Sequence, residues 1–311
     1  MREFYLIEIA KGILKTKRDD IIVGLGEDDC AVVRVGNKNL VLTTDCLHEK
    51  TDFPVGIKPE EIGHLALAVN LSDLAGCGAK PLFFLYTITL TDRIDEEIFR
   101  RILKGMKDLA DRYGVAIVGG DTDFGDELHI SGFAIGEAER FVTQNGARIG
   151  DHVCLTGLLG KAQLSLEQLF SGFDRDKIAY PESLFKPEPR IREGMEIAKH
   201  ANAMTDISDS LAVSLNLIAK KSCVGIEIYE ELIPLDHLLS YVDSNDALEL
   251  FLYAGGDYEL VYTSKLCQHI KIGRVVEGKG VWLVKKDGSR EKIEFRGYFH
   301  SPSQHSEHEK K

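Results

Sequence analysis

Aspartates that close or interrupt apolar runs are the residues of this sequence best placed to do chemistry. They stand in Asp28-Asp29 after Gly26-Glu27, in Thr43-Thr44-Asp45, in Asn70-Leu71-Ser72-Asp73 and in Gly119-Gly120-Asp121-Thr122. Singly, each has an ordinary explanation: Asp45 as a strand end, Asp28-Asp29 as a solvated turn, Asp73 as a helix-end residue bonding backbone amides. Their recurrence asks for more. Strand ends converge on one edge of a sheet, and carboxylates held close together cannot all stay ionised without cations. An all-oxygen set suits magnesium, a hard ion with an octahedral shell, better than zinc. Asp73 makes the demand sharpest, because it lies in the apolar run 65–75, where an unpaired carboxylate is costly to bury.

The second half repeats the theme in Thr205-Asp206-Ile207-Ser208-Asp209-Ser210, directly before the helical pattern Leu211, Leu215, Ile218. Asp209 or Ser210 can serve as a helix N-cap, while hydroxyl plus carboxylate at a helix N-terminus is also a setting for phosphate oxygens and their metal. Asp206 stands outside any cap and favours the second use. A formal net charge of −12 argues against a nucleic-acid partner and, for an enzyme acting on phosphates, again calls for divalent cations. Other nucleotide and hydrolase signatures fail. Gly157-Leu158-Leu159-Gly160-Lys161-Ala162 has too short a gap between its glycines for a P-loop and lacks the Ser or Thr that follows, and Gly24-Leu25-Gly26 lacks the third glycine of a dinucleotide fingerprint. Neither a Gly-x-Ser-x-Gly elbow nor a His-Glu-x-x-His pair is present.

Several elements must hold these groups. The run at 40–44 predicts a buried strand ending at Asp45. Ile98, Ile102, Met106, Leu109 and Tyr113 recur at helical spacing after Asp92 and Asp95, which suit a helix start. Runs at 115–118, ending in Gly119-Gly120-Asp121, and at 128–135 predict two further strands. After a connector rich in proline (Pro181, Pro187, Pro189), helices are expected near 190–200 and 211–221, and strands near 225–229 and 259–262. The alternation predicts a mixed α/β (α+β) class, and 311 residues suffice for two domains. Turn signals at 145–151 divide them into 1–148 and 149–300, and the polar tail 301–311 is expected to be disordered. The apolar stretch 65–90 is broken by Asp73 and Lys80, so no membrane span is expected, and the start lacks the apolar core of a secretory signal. A cytoplasmic protein is the expectation. The six cysteines form no Cys-x-x-Cys pair and are expected to be reduced, mostly buried thiols.

Taken in order, the motifs resemble the thiamine-phosphate kinase family, a branch of the ATP-binding superfamily that includes aminoimidazole ribonucleotide synthetase and selenophosphate synthetase. The resemblance spans nearly the whole chain. It rests on Asp28-Asp29-Cys30-Ala31, Thr43-Thr44-Asp45, Asn70-Leu71-Ser72-Asp73-Leu74-Ala75 with Gly78-Ala79-Lys80-Pro81, Gly119-Gly120-Asp121-Thr122, Asp206-Ile207-Ser208-Asp209, and Gly256-Asp257-Tyr258-Glu259-Leu260.

The resemblance implies a two-domain architecture like that of aminoimidazole ribonucleotide synthetase and a homodimer, with an N-terminal domain that binds metal and ATP and dimerises. It implies several magnesium ions on Asp29, Asp45, Asp73, Asp121 and Asp206, with Thr43 and Thr44 assisting and Asp209 as a further ligand. Gly120 and Asp121 then lie at the nucleotide, and Ser208 matches a nucleotide contact. Departures cluster on ligand contacts: Asp52 replaces a histidine that touches the acceptor, Gln144 an arginine at the nucleotide, Gly256 a glutamate and Ser210 a glycine. Tyr298 matches an aromatic near the acceptor, with an ordinary core role as the alternative; for Asp52 the alternative is a solvated turn.

The activity so implied is ATP-dependent phosphorylation of thiamine phosphate to thiamine diphosphate. No catalytic side chain is assigned, because a phosphate monoester with a second pKa of about 6 is already mostly ionised near neutral pH and needs no general base. The alternatives are another ATP-dependent enzyme of the same superfamily, including a kinase for a different phosphorylated acceptor, and a non-catalytic nucleotide or metal sensor.

Overall fold

The computed structural model describes residues 2–298, so the tail expected at 301–311 lies outside the described residues. The chain forms two compact units. One holds the residues up to Leu74 together with Ala79–Glu139, and the other holds Ala75–Gly78 with Arg140–Tyr298. The second unit therefore begins ahead of the turn cluster at 145–151.

The first unit runs α1 (Arg2–Leu14), β1 (Ile21–Val23), β2 (Ala31–Val35), β3 (Lys38–His48), α2 (Glu49–Asp52), α3 (Pro59–Gly76), β4 (Lys80–Leu90), α4 (Glu96–Tyr113), β5 (Ala116–Phe124) and β6 (His129–Ala138). Its sheet has the order β1-β2-β3-β6-β4-β5, and β4 and β5 are parallel because α4 carries the chain back between them. Asp95 caps α4 by accepting from Ile98 N at 2.8 Å, and Gly114 ends it at φ +68°. Ile102, Met106 and Leu109 of α4 are fully buried, as their spacing predicts. Helix α3 is buried on every side from Leu65 to Leu71, which is why it shows no amphipathic period. The two helices cross backbone against backbone: a Cβ on Gly63 would lie 1.8 Å from Ile102 O, and one on Gly105 1.8 Å from Glu60 O. Strand alternation turns Val41, Phe84, Ile88, Ile130 and Ala134 into the core and leaves Phe83 and Phe133 43% and 37% exposed on the other face.

Two expectations are corrected here. Strand β3 does not end at Asp45 but pairs with β6 from Asn39 to His48. Strand β5 likewise continues through Gly119-Gly120-Asp121 to Phe124, so the glycines lie inside a strand and not in a loop.

The second unit contains β7 (His152–Leu155), α5 (Lys161–Phe170), α6 (Pro181–Phe185), α7 (Ile191–Ile197), β8 (Ala203–Asp206), α8 (Leu211–Ser222), β9 (Gly225–Tyr229), α9 (Asp236–Leu239), α10 (Ser244–Tyr253), β10 (Leu260–Ser264), β11 (Ile270–Val276), β12 (Gly280–Val284) and β13 (Arg290–Lys292). The sheet order is β13-β12-β9-β11-β7-β10-β8. Its core joins Leu211, Leu215 and Ile218 of α8 to Val153, Ile226, Val261 and Ile272 of the strands. A disulfide between Cys154 and Cys267 corrects the expectation of reduced thiols for that pair; Cys30 and Cys77 are buried and outside any disulfide.

Candidate active site

Within the first unit, β3 and the end of α3 bring Thr43 and Asp73 together. Thr43 is buried and its Oγ1 donates to Asp73 Oδ2, which ties β3 to α3. Asp45 lies two residues further on, on the same face as Thr43. Strand β2 begins at Ala31, which pairs with Leu42, so Asp29 and Cys30 lie in the bend just ahead of it. Thr44 points to the other face and donates to Gly132 O at 2.8 Å. Asn70, one turn before Asp73, is buried against Gly132, the residue paired with Asp45; its Nδ2 donates to Ala66 O at 3.1 Å and its Oδ1 has no hydrogen-bond partner. A hydroxyl, a carboxylate and a buried amide oxygen thus stand near one another on β3 and α3, with Asp45 on the same face of β3 as Thr43. This is the donor chemistry of a hard divalent cation.

Asp121 stands apart from that group. The sheet aligns Asp45, Gly132, Tyr86 and Gly120 in one row, and Cys46, Ser131, Thr87 and Asp121 in the next. Asp121 is therefore three strands from β3, roughly 14 Å at ordinary strand spacing, and on the opposite face from Asp45. Gly120 lies flat against its neighbour, since a Cβ there would meet the Tyr86 ring at 2.9 Å. Asp52 closes a local turn: its Oδ2 accepts from His48 N and Thr51 Oγ1, both at 2.8 Å.

In the second unit a loop after β8 collects the other candidates. Asp206 ends β8 and is 5% exposed, and its backbone carbonyl accepts from Ser214 Oγ at 3.0 Å. Ser210 is the N-cap of α8, accepting from Val213 N at 3.0 Å, as the capping alternative anticipated. Gly256 N donates to Ser208 O at 2.8 Å, and Tyr298 N donates to Asp209 O at 3.2 Å. Gly255 and Gly297 allow those approaches, because a Cβ on either would lie within 3.0 Å of the 208–210 segment. Ser208, Asp209, Gly256 and Tyr298 are thus neighbours. Gln144 is buried beneath β8, its Nε2 donating to Thr205 Oγ1 at 3.1 Å and its Oε1 accepting from Lys221 Nζ.

The sequence pattern of the AIR synthase related protein, N-terminal domain, matches residues 27–138. A thiamine-monophosphate kinase of Archaeoglobus fulgidus is 50% identical over 301 residues, covering 96% of this chain and 98% of that one. The chain belongs to the thiamine-monophosphate kinase family. Another thiamine-monophosphate kinase, of Aquifex aeolicus, is 35% identical and covers 96% of this chain and 97% of its own. A solved structure, AaThiL complexed with AMPPCP and TMP, superposes with a TM-score of 0.85 at 34% identity, covering 96% of this chain and 97% of that one.

In this thiamine-monophosphate kinase family chain, the Gly256-Asp257-Tyr258-Glu259-Leu260 motif organises the second unit in a way the sequence left unassigned. Asp257 is buried and closes the N-terminus of α5, accepting from Ala162 N at 3.0 Å and from Gly160 N. Burial pushes its carboxyl up from 3.8 to about 6, against the pull of those two amides. Glu259 is fully buried and accepts from Thr156 Oγ1 at 2.7 Å and from Arg190 Nε and a terminal guanidinium nitrogen at 2.8 and 2.6 Å. Between these anchors Tyr258 takes φ +51°, a left-handed conformation that a bulky residue adopts only under constraint. Glycine leads this motif and Gly157 faces it, where a Cβ would strike Glu259 Oε1 at 2.2 Å. Arg190 had no signal of its own, being one basic residue after a proline.

Proposed function

We propose that this protein transfers the γ-phosphoryl group of ATP to the phosphate of thiamine monophosphate, giving thiamine diphosphate and ADP. The observation that supports the reading is the hydrogen bond from Thr43 Oγ1 to Asp73 Oδ2, which joins two of the aspartate-bearing motifs, with Asp45 on the same face of β3 as Thr43. The ligands of AaThiL, AMPPCP and TMP, are an analogue of one substrate and the other substrate itself in this reading. Magnesium held by carboxylates among Asp29, Asp45 and Asp73 would screen the repulsion between two anionic substrates and stabilise charge on the transferred group; Thr44 and Asp121, which face the other side of the sheet, would serve a separate ion, and Asp206 and Asp209 are the ligands assigned in the second unit. Asp29, Asp45 and Asp73 fix where the phosphates lie, and the buried Thr43 holds Asp73 in place. Gly120 and Asp121 are assigned to the nucleotide. Ser208 contacts the nucleotide, and Gln144 keeps Thr205 and hence Asp206 in position. Asp52, Gly256 and Tyr298 are assigned to the acceptor. The acceptor phosphate arrives ionised, so no side chain is given the task of removing a proton.

The reading includes a homodimer joined through the first unit. It is supported by the face of that unit's sheet carrying Phe83 and Phe133, and Val118 at 55% exposure. It also includes a cytoplasmic setting, where ATP is supplied; no described helix is long and apolar enough to cross a membrane. Magnesium-dependent ADP release with thiamine monophosphate, compared against other phosphorylated acceptors, is the test. Turnover with a different acceptor would replace the substrate assignment, and tight ATP binding without turnover on any acceptor would favour a sensor.

A further inference from the structure

Strand β3 carries a second group of potential metal ligands on the face opposite Thr43 and Asp45. Cys46 and His48 are alternate residues and share that face, and the pairing with β6 sets His129 directly across from His48 and Ser131 across from Cys46. The ligand atoms of Cys46, His48 and His129 all lie within 4.8 Å of one another. The two imidazole rings are 4.5 Å apart between centroids and inclined by 40°. His48 Nδ1 sits 3.2 Å from Glu127 Oε1, and Glu127 Oε2 lies 3.7 Å from Lys50 Nζ. A carboxylate on one ring nitrogen is the arrangement that orients a ligating histidine and raises its basicity, leaving the other nitrogen for a metal.

We propose that Cys46, His48 and His129 bind a borderline-soft divalent cation of the zinc class, separate from the oxygen ligands on the other face of the same strand. One thiolate and two imidazoles form the three-ligand set that zinc accepts while keeping a fourth position for water. Bond lengths near 2.3 Å to sulfur and 2.0–2.1 Å to nitrogen put tetrahedral ligand atoms roughly 3.5 Å apart. Side-chain rotation closes the cluster from within 4.8 Å to that spacing, on one exposed and two half-buried residues. The donors also sort the ions: magnesium has little affinity for a thiolate and two imidazoles, whereas zinc prefers them to carboxylates and hydroxyls. The bound cation joins β3 to β6 and stiffens the strand that carries Asp45. This inference is independent of the kinase reading.

The test is a Co2+ and Zn2+ titration of full-length, chelator-stripped protein that keeps the Cys154–Cys267 disulfide, with Mg2+ in excess to fill the oxygen sites. One Co2+ per chain is expected, with the sulfur-to-cobalt charge-transfer band and the strong visible bands of a tetrahedral ion. Cys46→Ser should abolish the charge-transfer band, and His129→Gln should weaken binding by about tenfold or more. Both variants should keep the wild-type circular dichroism and melting temperature without metal. Asp73→Asn should leave the Co2+ spectrum unchanged. Equal Co2+ affinity in wild type and Cys46→Ser, a spectrum with only the weak bands of an octahedral oxygen site, or no binding at all would overturn the proposal.

Discussion

Replacing Arg190 by methionine tests whether the Glu259 network holds the second unit together. Arg190 supplies two of the three hydrogen bonds at 2.8 Å or less to the Glu259 carboxylate, whose side chain is 1% exposed; Lys161 Nζ remains, but at 3.9 Å. Removing one partner of a buried ion pair leaves an uncompensated charge and costs about 3–5 kcal/mol. The lower end, about 3 kcal/mol, applies here because Thr156 and Lys161 stay in place. At a guanidinium slope of roughly 4 kcal/mol/M this moves the unfolding midpoint down by about 0.7 M. The chain's single tryptophan, Trp282, lies in β12 of the same unit and reports that transition by fluorescence. The double variant Arg190→Met/Glu259→Gln, which removes both charges, should recover at least half of the loss. A midpoint shift for Arg190→Met below about 0.2 M, or a double variant equal to the sum of the two singles, would refute the argument.

Three further outcomes follow from other residues. Asp73→Asn should keep the melting temperature within a few degrees while lowering kcat/KM by about two orders of magnitude, read by coupled ADP release. Asp257 titrates at about 6 when folded against 3.8 when unfolded, so the folded state binds the extra proton between those values and stability falls as pH rises through that window. Denaturation midpoints of wild type and Asp257→Asn at pH 4.5 and 6.5 should therefore differ by amounts that change by about 2 kcal/mol between the two pH values; a constant difference would remove the burial argument. Gly63→Ala, which in an ordinary helix interior stabilises by up to about 1 kcal/mol, should here destabilise by about 2 kcal/mol or more in thermal melts, because its Cβ meets the Ile102 carbonyl.

The sequence was legible where a local rule is strong. Asp95 and the Ile102–Leu109 stripe define α4 from the sequence, and the strand expected near 225–229 forms as Gly225–Tyr229. It was less legible where tertiary pairing overrides a local sign. Asp45 looks like a strand end only if charge must leave a sheet, yet β3 continues because β6 offers backbone partners as far as His48. Gly119-Gly120 looks like a turn, but a parallel edge strand tolerates glycine when its neighbour, here Tyr86, fills the space. The candidates Asp45 and Asp73 on β3 and α3 were visible as recurring aspartates, whereas register alone reveals that Asp121 faces the other way. Arg190 and the Cys46–His48–His129 group were beyond reach, since both depend on partners brought together from distant segments.

The cap of α5 bears on the order in which the protein can be made. The helix has no side-chain cap of its own at Gly160, and the carboxylate that closes its first turn comes from Asp257, 95 residues beyond Ala162. On a ribosome, α5 emerges long before that group exists, so its first amides stay open to water until β10 is nearly ready to emerge. Nascent chains stalled short of Asp257 should show fast amide exchange at the start of α5, and those released past Glu259 should show it protected. A helix early in the sequence is in this way one of the last to be secured.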